Sequence, residues 1–144
     1  MANATMVKFG YPDTLLREFE HWVVLLRPAQ PTLGSLVLAA KSDATAFADL
    51  PHESFAELAH VVSSVERALR SFCEYERINY LMLMMVDPHV HFHAIPRYSK
   101  PRQWNELDFP DQGWPGAPQL KLAVELTSEQ TETLTKQLKP YFYS

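Results

Sequence analysis

Apolar residues along this chain fall into short continuous runs and one long periodic stretch, and the two patterns predict different elements. His21-Trp22-Val23-Val24-Leu25-Leu26-Arg27 is rich in β-branched and aromatic residues and stops at Pro28, as a strand covered on both faces would. Ser35 to Ala40 is a second such run. Only the turn-forming residues Pro28 to Gly34 separate it from the first, so the two predict an antiparallel hairpin. After Pro51, suited to a first helical position, Phe55, Leu58, Val62, Val65, Leu69 and Phe72 recur three and four apart. That spacing predicts a long helix with this stripe in the core and with His52 and His60 on its solvent side. Ile78 to Val86 is apolar on both faces, like a central strand. Leu120 to Leu126 alternates, and Thr127 to Gln130 carries a capping-box pattern that opens a last short helix through Leu134 and Leu138. A further short helix is expected from Asp13, capped by Asp13 or Thr14 and burying Leu15, Leu16 and Phe19. Residues 1–12 read as a loosely held terminus. Residues 96–118, with five of the eleven prolines and two of the four glycines, read as a long surface loop.

These elements predict one α+β domain over residues 1–144: an antiparallel sheet of about five strands with one long helix packed on it, and a C-terminal strand and helix over 119–144. One stretch departs from the apolar pattern in a regular way. In Pro88-His89-Val90-His91-Phe92-His93-Ala94-Ile95-Pro96-Arg97, three histidines alternate with apolar residues. A strand would set His89, His91 and His93 on one face. A core prefers apolar groups there, because each buried ring nitrogen needs a partner, and a solvated strand more often carries Thr, Lys or Glu. Asp87-Pro88 predicts a tight hairpin. Pairing symmetric about Asp87 would set Met85, Leu83 and Leu81 opposite the three histidines, an apolar flank suited to a base or a sugar.

At 144 residues the chain can bury a core without staples. Its net charge of -4 argues against the basic footprint that a nucleic-acid polymer requires, while a small nucleotide remains compatible. Cys73 is the only cysteine, which excludes an intrachain disulfide, and the first residues hold no apolar signal-peptide core. No apolar run reaches the length that spans a bilayer. A cytoplasmic protein with no membrane partner is expected.

Neutral imidazole is a nucleophile at physiological pH, and a neighbouring imidazole can carry the proton or charge that moves in phosphoryl chemistry. Attack on phosphorus needs one ring nitrogen free and aimed, plus donors for the non-bridging oxygens. Two histidines two apart on a strand can also chelate zinc, but no carboxylate or fourth ligand stands out. Neither a metal nor another cofactor is expected.

The alternating histidines followed by Pro96-Arg97 resemble the signature of the histidine triad (HIT) superfamily of nucleotide hydrolases and transferases, and the order of elements from Trp22 to Tyr98 is more loosely similar. The resemblance implies hydrolysis or transfer at the α-phosphate of a small nucleotide, of the dinucleoside polyphosphate or nucleoside phosphoramidate class. It implies His91 as the nucleophile that becomes nucleotidylated, His89 and His93 as flanking catalytic residues, no metal, and a homodimer. Three features depart from the family's pattern. The ribose-holding Asp or Asn near the end of the first strand gives way to Leu25-Leu26-Arg27, the polar loop before the triad shortens to Val86-Asp87-Pro88, and a histidine opening the second strand gives way to Gly34-Ser35. Candidate replacements for the substrate contacts are Arg27, Ser35, Asn79 and Arg97, with Lys100 and Arg102 behind them. Leu83 is a candidate apolar contact and Trp104 a candidate for stacking on a base. The alternative reading is a catalytically quiet nucleotide-binding or regulatory protein on the same scaffold.

Overall fold

The computed structural model describes residues 2–143. Met1 and Ser144, the outermost residues of the expected terminal segments, lie outside the described residues. The frame is a five-stranded antiparallel sheet built from β1 (Leu15–Glu18), β2 (Trp22–Leu26), β4 (Leu36–Ala40), β5 (Arg77–Leu81) and β6 (His91–Arg97), in the order β1-β2-β4-β6-β5. The α+β architecture is therefore as expected. Every residue of β2 and β4 is buried, because both faces of the sheet are covered. Trp22, Val24, Leu26, Leu36, Leu38 and Ala40 pack toward α2 (His52–Cys73), which contributes Val61, Val65, Ala68 and Leu69. Val23, Leu25, Val37 and Ala39 point the other way, toward Met6. Pro51 occupies the N-cap of α2, one position earlier than expected, and the buried stripe runs through Val61 and Val65 with Phe55 half-exposed at its edge. His52 and His60 are exposed.

Five expectations change. Residues 1–12 are not loose: α1 (Ala4–Lys8) is capped by the Asn3 side chain and buries Thr5 and Met6 against the sheet face opposite α2. The same Asn3 donates to the carbonyls of Ala40 and Ser42, which fixes the terminus to the end of β4. The segment after Asp13 is strand β1, not a helix, paired with β2 through an irregularity between Leu15 and Arg17. Neighbouring Leu15 and Leu16 suit a strand that has apolar cover on both sides, and the pairing with β2 overrides the weak local preference for helix.

Between β5 and β6 the expected register holds, with Leu81 opposite His93 and Arg77 opposite Arg97. The hairpin is not tight, however. Pairing stops at Leu81, and residues 82–90 form a loop that carries Leu83, Met85 and Val86 into solvent. Residues 96–118 are not a plain surface loop: β7 (Arg102–Trp104) and β8 (Leu107–Phe109) form a hairpin turned by Asn105 and Glu106, both at positive φ. Tyr98 ties this hairpin to the core by donating to the Phe109 carbonyl and accepting from the Leu33 amide. The C-terminal strand reduces to β9 (Val124–Glu125), paired with β3 (Ala29–Gln30), and α3 (Ser128–Leu138) opens with the expected capping box at Thr127 and Gln130. Among the described residues no helix is long and apolar enough to cross a membrane.

Candidate active site

The register of β6 against β4 sets His91 beside Ala39 and His93 beside Val37, so both rings emerge on the face away from α2. They stand edge to face with centroids 5.1 Å apart, and Phe9, just after α1, lies against both at 5.7 and 5.6 Å. Both are buried, which leaves little rotational freedom to the rings. Nδ1 of His91 lies 2.7 Å from the carbonyl oxygen of His89. A carbonyl only accepts, so Nδ1 carries a proton, and the neutral tautomer of this ring has its lone pair on Nε2. Burial, then the charge of Arg27 and the electrostatic influence of the adjacent His91 ring, pull the pKa of His93 down to about 4, so this ring is neutral at physiological pH.

His89 departs from the expected row. It precedes β6, and its Nδ1 lies 3.0 Å from the hydroxyl of Thr5 in α1. The hydroxyl also accepts from the His89 amide. Its ring is thus tied to the N-terminal helix and is not among the groups lining the cavity beside the other two histidines.

That cavity, of about 530 Å³, is bounded by His91, His93 and Phe9 on the sheet side and by the 83–87 segment on the other. Of the sequence candidates, Arg27 and Leu83 line it as well. Ser35, Asn79 and Arg97 do not. Ser35 is fully buried in a turn, bonded to Thr32. Asn79 accepts from Arg97, whose guanidinium also grips Asp111 at 2.6 Å and the carbonyl of Gly116. Arg97 and Asp111 are both buried, and their pairing holds the segment after β8 to the end of β6. Arg102 caps α2 by donating to the carbonyls of Cys73 and Glu74, and Trp104 donates to Gln137 in α3.

Three charged residues that the sequence reading passed over line the same space: Lys8, Asp87 and Glu125. Lys8 and Asp87 form an ion pair at 3.2 Å that joins α1 to the loop before β6. No local pattern marks them, because each reaches the cavity through a contact between segments remote in sequence. Among the described residues no group of three or more His, Cys, Asp or Glu side chains converges as a metal site would.

The arrangement offers an imidazole whose Nδ1 is held by a carbonyl while Nε2 is left to the cavity, a neutral second ring beside it, an apolar wall and two cations. It can accept an anionic phosphorus centre with an apolar or aromatic appendage. The model of the HIT domain family matches residues 9–100. In fold, the chain is similar to a histidine triad protein from Sinorhizobium meliloti, with 18% identity and a TM-score of 0.74 over 98% of this chain and 96% of that one. It is similar to a histidine triad protein from Bradyrhizobium japonicum, with 17% identity and a TM-score of 0.69 over 99% and 97%. A third likeness is to diadenosine triphosphate hydrolase from Plasmodium falciparum, in complex with cyclomarin A, with 14% identity and a TM-score of 0.67 over 92% and 78%. Among curated proteins, none matches the sequence.

Proposed function

The chain belongs to the HIT domain family, and from that premise we propose that it cleaves or transfers at the α-phosphate of a small nucleotide through His91. Nε2 of His91 attacks the phosphorus and forms a P–N bond as the bond to the leaving group breaks. Water or another acceptor then displaces the histidine and restores the ring. His93, neutral beside the nucleophile, keeps its orientation through the edge-to-face contact. The substrate belongs to the dinucleoside polyphosphate or nucleoside phosphoramidate class, the first being the kind of molecule named for the Plasmodium falciparum neighbour. The protein works as a cytoplasmic homodimer.

What carries this reading is the hydrogen bond from His91 Nδ1 to the His89 carbonyl, which leaves an unprotonated Nε2 on a ring that lines the cavity. The protein should therefore gain one nucleotidyl mass on brief incubation with a reactive nucleotide, read by intact-protein mass spectrometry under conditions that preserve a phosphoramidate. His91→Ala should gain none and lose turnover by several orders of magnitude. Turnover that survives the substitution would remove covalent catalysis at His91. A quiet binding protein is the second reading, favoured by the engagement of Ser35, Asn79 and Arg97 in internal bonds. It expects binding with no adduct on the wild-type chain.

A further inference from the structure

Arg27 is a cation on the cavity wall that forms no contact ion pair among the described residues. Leu25, Val37 and His93 lie side by side across β2, β4 and β6, so Arg27, two residues beyond Leu25, faces the same side of the sheet. Its Nη1 donates to the carbonyl of Ala29 at 2.7 Å, which anchors the guanidinium to β3. Its Nε is buried and has no hydrogen-bond partner among the described residues. Lys8, the other cavity cation, is paired with Asp87. Glu125 faces Arg27 from β9, opposite Ala29, but it is exposed and forms no ion pair with it. Burial pushes the Arg27 pKa below its usual value, with Glu125 acting in the opposite sense, and a guanidinium stays charged all the same.

Holding a guanidinium partly out of water costs free energy, and an anion beside its accessible end offsets that cost. With Nη1 tethered to Ala29 and Nε buried, Nη2 is the nitrogen left to meet an anion in the cavity. Strands about 4.8 Å apart and rising about 3.3 Å per residue put Arg27 two strands and four residues from the level of His91. That offset separates the two Cα atoms by about 16 Å, so the guanidinium of Arg27 and Nε2 of His91 meet different parts of a bound nucleotide. A second phosphate, either across a ribose or further along a phosphate chain, is the part that a cation there would hold.

Resting on the reading that a nucleotide is attacked at His91, we propose that Arg27 binds a second phosphate of the substrate, separate from the reacting one, and so selects nucleotides that carry two. Glu125, solvated at the rim, weakens this pull by screening but does not cancel it. Neutral His93 adds no competing charge between the two phosphates.

Calorimetric titration of the His91→Asn protein, which holds ligand without turnover, tests the proposal with adenosine 5'-monophosphate, adenosine 3',5'-bisphosphate and ATP. One of the multiply phosphorylated nucleotides should bind at least about tenfold more tightly than the monophosphate. The bisphosphate would assign the second phosphate to the ribose, and ATP would assign it to the chain. Adding Arg27→Gln should collapse that ratio to within about twofold, while Arg27→Lys, which keeps the charge and loses the fork, should lower it only in part. The Lys variant carries the test if the Gln variant does not fold. Equal affinity for all three nucleotides, or a ratio that survives Arg27→Gln, overturns the proposal and leaves nucleotide binding intact. If no nucleotide binds and the wild-type chain forms no adduct, this proposal and the reading of His91 fall together.

Discussion

At the scale of single residues, burial keeps the ring of His93 neutral where water is scarce. His93 illustrates the thermodynamic consequence. Its folded pKa of about 4 lies below the usual 6.5, so the unfolded chain binds its proton more readily than the folded one. The preference for the folded state is therefore complete above about pH 6.5 and is lost progressively as pH falls toward 4. Thermal melts between pH 7 and 4, at about constant ionic strength, should show a declining Tm whose slope flattens in His93→Gln. The carboxylates Glu18 and Glu132, held below their usual range chiefly by hydrogen bonds from Lys41 and Lys136, contribute at lower pH, so the two windows separate. An unchanged slope in the variant would remove the role assigned to His93. His91 and His93 were legible in the sequence because alternation within a strand is a local property. The cavity-facing position of Arg27 followed from its place at the end of β2, whereas Ser35, Asn79 and Arg97 could not be judged without their partners. A polar side chain in sequence looks the same whether a ligand or the chain itself satisfies it.

At the scale of elements, α1 is what turns an open sheet face into a walled site. Met6 covers Val23, Leu25, Val37 and Ala39, Phe9 closes over the two histidines, and Thr5 and Lys8 reach across to His89 and Asp87. A helix of five residues is not stable by itself, so it exists here only because the sheet and its cap hold it. Asn3 supplies that cap and two bonds to the end of β4. Asn3→Ala should cost about 1–2 kcal/mol of stability, in proportion to the lost cap and the orphaned carbonyls. Hydrogen exchange should also speed up selectively over residues 4–9. Uniform acceleration across the whole sheet instead would mean that α1 is not an independently held element.

At the scale of the whole molecule, the sheet ends at β5, half-exposed along most of its length, where unpaired backbone groups invite another strand or a partner. The homodimer in which two sheets join would cover that edge and bury Ile78 and Tyr80. Sedimentation equilibrium at micromolar concentrations should give about twice the 16.5 kDa chain mass, and a monomer throughout would set the joined sheet aside. The sequence by itself determined the apolar strands β2 and β4, the long helix, the capped C-terminal helix, the Leu81–His93 register and the histidine alternation. All of these follow from periods of two or 3.6 residues and from nearby turn and cap chemistry. Only the tertiary structure decided that Leu15 and Leu16 extend a sheet, that residues 2–9 roof the site, that His89 stands apart from the other two, and that Arg97 serves Asp111 while Arg27 lines the cavity. In each case the outcome depends on which distant segment supplies the neighbouring surface or the missing hydrogen bond, and no local pattern encodes that choice.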